Sequence, residues 1–418
     1  MIAHRGKKKG EPVMMYRRSV LVLVIALALC RGSAWAQMSH NHASEAACET
    51  TELRCATKVT PAFAPDGRLW LAWMAGGHVL VARSGDNGQS LSEPVQVTRD
   101  KLNLDWGPDA RPKIVVDRNG QIALAFSIFR DNAFNGEVLV SHSSDGGKSF
   151  AEPRPITPNN ESQRFEALAL GADGTVFAAW LDKRNRVPAR ENGRKYDGAG
   201  LFFAVSKDGG TTYGEARLMK DNTCECCRLA IALDGQGHPV IMFRDIFDGS
   251  IRDHATVTFS DLKTPGEIHR VSHDEWQIAA CPHQGPSLSI AANGTYHVAW
   301  YTNGRVRKGL FYASSRDGGK TFSDPLPIGQ ADHGPSRPFV LAGSDGVTMV
   351  WKEFDGEKTV VNLMSSHDDG RSWSKPRTIA STTDASDHPL LISDGRKTYL
   401  SWMTKADGFR FQPIEGDS

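Results

Sequence analysis

The sequence lacks a marked excess of either charge. Its 418 residues include 49 Lys and Arg against 48 Asp and Glu, a formal net charge of +1 at pH 7. Proteins that bind nucleic acid usually carry a basic excess, and disordered chains combine low hydrophobicity with high net charge. This balance, together with 40% hydrophobic residues, argues against a nucleic-acid partner and indicates a folded globular chain.

The sequence also lacks an apolar run long enough to span a membrane. The apolar segment at residues 20–29 falls short of the roughly 18 residues that a membrane helix needs. Arg17-Arg18 precedes it, and Ala34-Trp35-Ala36 follows it as a small-x-small cleavage site. We therefore expect a signal peptide over residues 1–36, cleaved after Ala36. Alternatively, the residues before Met14 come from a mis-annotated start, and the signal peptide begins at Met14. The predicted location is periplasmic or secreted, without a membrane span.

No long stretch shows the periodicity of an amphipathic helix, whereas glycine is abundant at 40 residues. A unit recurs instead, in which a short β-rich run, a turn ending in Gly and a second run reach a large aromatic residue. The turn glycines are Gly67, Gly120, Gly174, Gly237, Gly294, Gly346 and Gly395. The aromatic residues are Trp73, Phe126, Trp180, Phe243, Trp300, Trp351 and Trp402.

A second motif, Ser-x-Asp-x-Gly-x-x followed by an aromatic residue or Leu, comes after the third predicted strand of five units. The five segments begin at Ser84, Ser143, Ser206, Ser315 and Ser366. Asp accepts backbone N–H bonds across such a turn, and Gly adopts the positive φ that the turn needs. The motif resembles the Asp-box, or BNR repeat, of sialidases and related β-propellers.

This resemblance implies an all-β propeller, and seven units predict seven blades. Six blades are the alternative, because sialidases have six. We expect residues 37–57 to form a leader, in which Thr50–Cys55 supplies the missing outer strand of a short seventh blade. Residues 58–418 are then a single propeller domain.

The resemblance also raises the possibility of a sialidase or a related glycoside hydrolase. Sialidases clamp a carboxylate with three arginines and use a Tyr–Glu pair, but Val59 stands where the first arginine is expected. No convincing Tyr–Glu pair is found, so enzyme activity stays an alternative. Arginines near the starts of predicted inner strands are the candidates for substrate binding in that case: Arg111, Arg164, Arg228 and Arg337.

Six of the seven cysteines follow the predicted signal peptide, and an even number in an oxidising compartment favours disulfides. Cys48 and Cys55 are the candidates for a local disulfide. The segment Cys224-Glu-Cys226-Cys227 is harder to explain by disulfides alone, since adjacent cysteines form only strained bridges. A bridge from Cys224 or Cys226 to Cys281 is one solution, and a metal site is another.

Counting back from the turn glycines brings these cysteines into register with histidines of neighbouring units. Cys224, Cys281 and His333 each lie 13 residues before a turn Gly, and Cys226 and His283 each lie 11 before one. Equivalent positions of successive blades meet at one mouth of the central channel. Thiolate and imidazole groups gathered there suit a soft or borderline metal.

The sequence therefore predicts a propeller that binds a metal ion, with copper favoured and zinc the alternative. The predicted ligands are Cys224, Cys226, Cys227, Cys281, His283 and His333. A metal-free propeller that binds a periplasmic protein or a glycan is the remaining alternative.

Overall fold

The computed structural model describes Cys48 and residues 50–415, so the predicted signal peptide lies outside the described residues. The strands form seven antiparallel sheets, each built from strands that are consecutive in the chain. The predicted seven-bladed β-propeller is confirmed, and the six-bladed alternative is wrong. None of the described helices is long and apolar enough to cross a membrane.

Six blades contain four strands each, numbered outward from the central channel. The first three blades are β1 Lys58–Phe63, β2 Leu69–Ala75, β3 His78–Ser84 and β4 Val95–Gln96; β5 Lys113–Val116, β6 Ile122–Phe129, β7 Gly136–Ser143 and β8 Arg154–Pro155; and β9 Gln163–Leu170, β10 Val176–Asp182, β11 Ala199–Ser206 and β12 Arg217–Thr223. The next three are β13 Ala230–Leu233, β14 Pro239–Arg244, β15 His254–Phe259 and β16 Pro265–Arg270; β17 Ser287–Ile290, β18 Tyr296–Asn303, β19 Lys308–Ser315 and β20 Leu326–Ile328; and β21 Ser336–Gly343, β22 Gly346–Phe354, β23 Thr359–Ser366 and β24 Arg377–Thr382.

The seventh blade has three strands, β25 Leu390–Ser393, β26 Thr398–Thr404 and β27 Gly408–Pro413. The expected outer strand at Thr50–Cys55 is replaced by a 3-10 helix at Leu53–Cys55. Its backbone is satisfied locally, because the amide of Cys55 donates to the carbonyl of Glu52 over 2.9 Å. The helix contacts β27 without joining its sheet.

The innermost strands of the seven blades form a closed ring. Each contacts the inner strand of the next blade, and β1 contacts β25 to complete the circle. A disulfide between Cys48 and Cys55, whose Cα atoms lie 5.3 Å apart, closes a short loop before β1. The predicted disulfide is therefore present in the structure.

The repeated aromatic residues form the core between neighbouring blades. Each of the seven lies in the second strand of its blade and is at most 1% exposed. The glycine that precedes or begins each of these strands has a positive φ, from 78° at Gly120 to 125° at Gly346. Sequence and structure agree here because turn chemistry and apolar burial act over a few residues.

The Ser-x-Asp-x-Gly segments close the turns after the third strands. In the second blade, Asp145 Oδ1 accepts hydrogen bonds from the amides of Lys148 and Ser149, and Ser143 Oγ accepts one from the amide of Gly147. Gly147 has a φ of 76°. These turns lie on the face opposite the segments that enter each inner strand, which we call the entry loops.

Six entry loops connect the outer strand of one blade to the inner strand of the next, and all six lie on one face of the propeller. They span residues 97–112, 156–162, 224–229, 271–286, 329–335 and 383–389. Within residues 50–415, a single short α-helix, α1 Arg186–Glu191, lies on the same face in the connection from β10 to β11. The predicted functional residues fall in these loops or at the first residues of the strands that follow.

Candidate metal centre

Three cysteines converge in the entry loop that leads into β13. The Sγ atoms of Cys224, Cys226 and Cys227 all lie within 4.8 Å of one another. Each residue is 2% exposed and packs in the core between the third and fourth blades. We call this group the three-cysteine cluster.

The backbone on both sides of the cluster is fixed by contacts with other segments. The amide of Cys224 donates to the carbonyl of Arg244 in β14 over 3.1 Å. At the other end, the amide of Arg228 donates to Asp109 Oδ2 over 3.2 Å. The close approach of the three thiols is therefore held by the propeller and not by the loop alone.

Two buried arginines give the cluster a positive environment. Arg252 Nη1 donates to Cys224 Sγ over 3.3 Å. Hydrogen bonds from Cys226 and Cys227, helped by the charges of Arg244 and Arg252, hold the pKa of the Cys224 thiol well below its usual value. Burial raises the pKa of Cys227, so the cluster favours a thiolate at Cys224 first.

Cys281 approaches this cluster from the entry loop of the fifth blade. Its thiol interacts with that of Cys226, and this contact lowers the pKa of Cys281. Unlike the other three, Cys281 is exposed. The described chain has four free thiols: Cys224, Cys226, Cys227 and Cys281. The alternative disulfide from Cys224 or Cys226 to Cys281 is therefore not formed in the structure.

The two predicted histidine ligands lie in different surroundings. His283 is half-buried beside Phe165, and its Nδ1 atom has no hydrogen-bond partner. Burial lowers the pKa of His283, with the nearby Cys227 acting in the opposite direction. His333 lies in the 3-10 helix Ala331–His333, where its Nδ1 is 3.7 Å from Glu353 Oε2. It is outside the three-cysteine cluster.

A ring of cationic side chains surrounds the central channel on the same face. Equivalent positions of the inner strands carry Lys58, Arg111, Arg164, Arg228 and Arg337, with Gly285 and His388 at the corresponding places in the fifth and seventh blades. We call these five cations the cationic ring. Of the five cations, the sequence analysis missed Lys58. It lies nine residues before its turn Gly, as Arg111 and Arg228 do, so the register of the repeat could have identified it.

Asp109 is the carboxylate at the centre of this ring. Its Oδ1 accepts hydrogen bonds from Arg228 Nη1 at 2.9 Å and Arg337 Nη1 at 2.8 Å. Its Oδ2 accepts from the amides of Arg228 and Gly285. His388 Nε2 lies 3.9 Å from the same carboxylate, and burial holds the pKa of His388 well below its usual value.

The other ring cations also have carboxylate partners. Arg111 and Lys58 both contact Asp387 Oδ1, at 3.0 and 3.1 Å. Arg164 forms a bidentate pair with Asp105, at 2.6 and 3.0 Å. The sequence analysis did not single out Asp105, Asp109 or Asp387, because lone acidic residues in loops carry no recognisable pattern.

Solved structures of glycan-active propellers share this architecture. An ulvan lyase from a polysaccharide lyase family aligns over 86% of this chain and 93% of its own, with a TM-score of 0.55 and 11% identity. The Hadza microbial sialidase Hz136 aligns over 83% and 76%, with a TM-score of 0.50 and 14% identity. An α-L-arabinofuranosidase of Fusarium graminearum aligns over 75% and 94%, with a TM-score of 0.51 and 14% identity. The chain has a sialidase-like propeller fold.

At these identities the structural similarity establishes only the fold of this chain. The chemistry of the sialidase-like propeller has to be judged from its own residues. No protein-family profile matches the sequence, and no curated protein is significantly similar to it. The four arginines proposed from the sialidase resemblance do gather around the channel. Each of them, however, already has a carboxylate partner within the chain.

Residues of the fourth blade, together with Lys220 of the third and Glu275, line an open pocket of about 540 Å³. Asp245 lies on its wall, directly after the residue whose carbonyl holds Cys224, and Lys220 Nζ is 3.4 Å from Asp245 Oδ1. Burial raises the pKa of Asp245. The wall of this pocket therefore continues into the backbone that holds Cys224.

Proposed function

We propose that this sialidase-like propeller is an exported protein that binds copper(I) through the thiolates of Cys224, Cys226 and Cys227. The observation that carries the proposal is the convergence of three buried Sγ atoms within 4.8 Å. Thiolates are soft ligands, and they favour copper(I) and zinc over harder cations. Export is expected from the predicted signal peptide at residues 1–36.

The number of converging thiols favours copper(I) over zinc. Structural zinc sites are almost always four-coordinate, so zinc would need a fourth ligand at equal distance. In the described part of the chain, the group that converges contains three cysteines, and Cys281 stands at the exposed edge. A three-thiolate site suits a soft monovalent ion, and zinc with Cys281 as fourth ligand is the competing arrangement.

The surrounding charges fit the same proposal. Three thiolates around copper(I) carry two negative charges in excess, and a buried net charge is costly unless it is compensated. Arg244 and Arg252 are 2% and 6% exposed, and both act on the Cys224 thiol. Two guanidinium groups therefore offset the charge that a loaded site would have.

Metal analysis combined with a thiol count tests the proposal. The protein is isolated from its exported fraction, its copper and zinc contents are measured, and its free thiols are counted. The reduced protein is then titrated with copper(I) in competition with a chromogenic chelator. We expect about one tightly bound copper(I) per chain. The double variant Cys226→Ser/His283→Ala should lose it.

The matched control removes cysteines away from the site. The double variant Cys48→Ser/Cys55→Ser lacks the N-terminal disulfide and should keep full copper binding. Retention of zinc in preference to copper would favour the four-ligand arrangement. Protein that takes up neither metal in reduced form, or whose four other cysteines are disulfide-bonded in the exported fraction, contradicts the proposal.

Glycan binding or cleavage at the cationic ring is the second candidate function. The cations of the ring outnumber Asp105, Asp109 and Asp387, so the channel mouth keeps a positive bias. Such a mouth suits an anionic saccharide. Release of a fluorogenic group from a sialoside, and its loss in Arg228→Ala and Arg337→Ala, would support this function. Absence of turnover at acidic and neutral pH would count against a sialidase.

A further inference from the structure

The four free cysteines differ sharply in their access to solvent. Cys224, Cys226 and Cys227 are each 2% exposed, whereas Cys281 is exposed. The buried three belong to the entry loop of the fourth blade, and Cys281 belongs to that of the fifth. One thiol therefore reaches the cluster from a separate, solvent-facing segment.

The segment that carries Cys281 is anchored on both sides, and Gln277 on the N-terminal side donates its side-chain amide to the carbonyl of Gly249 over 2.9 Å. Beyond Cys281, the carbonyl of His283 accepts a hydrogen bond from Arg337, and the amide of Gly285 donates to Asp109 Oδ2 over 3.0 Å. Before it, Ala279 and Ala280 are exposed. Cys281 thus lies in a short exposed stretch between two anchored points, in a loop that binds the same Asp109 Oδ2 atom as the loop of the three-cysteine cluster.

We propose that Cys281 is the exchange ligand of the copper site, the thiolate through which the ion enters and leaves the three-cysteine cluster. The inference rests on the proposed copper function. A bulky donor or acceptor has no direct path to the thiols of three cysteine residues that are each 2% exposed. It can reach Cys281, whose loop binds the same Asp109 Oδ2 atom as the loop of the three-cysteine cluster.

The exchange step is a ligand substitution without redox change. Copper(I) would form a bond to the Cys281 sulfur as its bonds to the three buried thiolates break, and those sulfurs would take up the Cys281 proton and protons from solvent. A bond to the incoming ligand would then form as the bond to Cys281 breaks. The copper stays monovalent throughout. The released Cys281 thiolate takes up one proton, which an incoming thiol supplies when it binds as a thiolate. The partner implied is a copper(I) carrier that presents a thiolate or thioether.

If Cys281 is an exchange ligand, its removal should change the rates of copper(I) loading and release without changing the affinity for copper(I). An ordinary fourth ligand contributes to the stability of the bound state, so its loss accelerates release and weakens binding together. An exchange ligand lowers the barrier in both directions. Its loss slows loading and release alike and leaves the dissociation constant nearly unchanged.

The test measures both rates and the affinity in the full-length reduced protein. Copper(I) is delivered as a glutathione complex and removed by excess bathocuproine disulfonate, with both reactions followed by stopped-flow absorbance. In Cys281→Ser we expect both rates to fall by at least about tenfold, with the affinity held within about threefold. His273→Ala, a change of an exposed side chain in the same entry loop, is the matched control and should leave both rates as in the wild type.

The outcomes separate this inference from the function on which it rests. Wild-type protein that binds no copper(I) overturns both. Unchanged rates in Cys281→Ser overturn the exchange role and leave copper binding standing. Faster release with proportionally weaker binding makes Cys281 a permanent ligand, which also overturns the exchange role. Circular dichroism of each variant confirms that the fold is kept.

Discussion

Arg252 and Cys224 are joined by a hydrogen bond of 3.3 Å between Nη1 and Sγ, in a part of the propeller where both residues are buried. The two come from different segments of the fourth blade, 28 residues apart in the chain. A guanidinium beside a buried thiol stabilises the thiolate, which is the form that binds metal. The charge of Arg252 is therefore expected to favour metal binding at Cys224 in the proposed copper site.

Replacement of Arg252 tests that link. Arg252→Met removes one of two buried positive charges, and we expect the affinity for copper(I) to fall by about tenfold, or about 1.4 kcal/mol. Arg252→Lys keeps the charge and should retain most of the affinity. Chelator competition measures both variants, and equal affinity in Arg252→Met and wild type would contradict the role given to this arginine.

Asp109 should be among the most sensitive positions for stability. Asp109→Ala removes the buried carboxylate that the half-buried Arg228 and Arg337 share, and loss of one partner from such a site typically costs about 3–5 kcal/mol. Urea unfolding measures the change. Asp66→Asn, which breaks the exposed pair with Arg68, is the control and should cost less than about 1 kcal/mol.

Alanine substitutions at two neighbouring glycines of one turn distinguish the cost of backbone strain from the cost of a steric clash. Gly146 and Gly147 have φ values of 72° and 76°, so Ala at either position is strained by about 1–2 kcal/mol. At Gly147 a Cβ would also lie 2.5 Å from the buried ring of Trp70 in the first blade, whereas Gly146 faces open space. Gly147→Ala should therefore be the more destabilising by about a further 1–3 kcal/mol. Equal unfolding free energies for the two variants would disprove the inter-blade contact.

Because Lys352 is largely buried, we expect the free energy of unfolding to increase in alkaline solution. Burial lowers its pKa from 10.5 to about 8, while the nearby Asp387 opposes that shift. Between about pH 8 and 10.5 the unfolded chain binds more protons at this site than the folded chain, so the free energy of unfolding increases with pH. Below pH 8 both states are protonated, and the cost of the buried charge is fully present.

The variant Lys352→Met should reduce that rise, by up to about 3 kcal/mol over the interval. Urea unfolding at a series of pH values from 7 to about 10.5 measures the slope, and the difference from wild type isolates this residue from other groups. Lys397→Met changes an exposed lysine and serves as the control. Identical slopes in Lys352→Met and wild type would contradict the prediction.

The architecture was predictable because each blade repeats the same short sequence features, a turn glycine followed by a buried aromatic residue. A turn glycine such as Gly120 and an aromatic such as Trp180 act through neighbours a few residues away, and seven copies indicate seven blades. The closing segment was not predictable in this way. Leu53–Cys55 satisfies its own backbone in a 3-10 turn, so it does not complete the seventh sheet.

The candidate site was predictable only in outline. The register aligned Cys224 with Cys281 and His333, but packing brought Cys227 into the cluster and left His333 beside Glu353. A 3-10 turn at Ala331–His333 directs that histidine away, and nothing in the spacing of the repeat encodes it.

By itself, the sequence determined the number of blades, the turns that close them and the face on which the unusual cysteines gather, because these depend on short-range conformation and on a repeated register. Only the tertiary structure decided which charges meet. Arg111 and Asp387 pair across 276 positions of the chain, and Arg337 and Asp109 across 228. Closure of the ring makes these distant residues neighbours, and the burial that follows sets which thiol stays exposed and which arginines face the cluster.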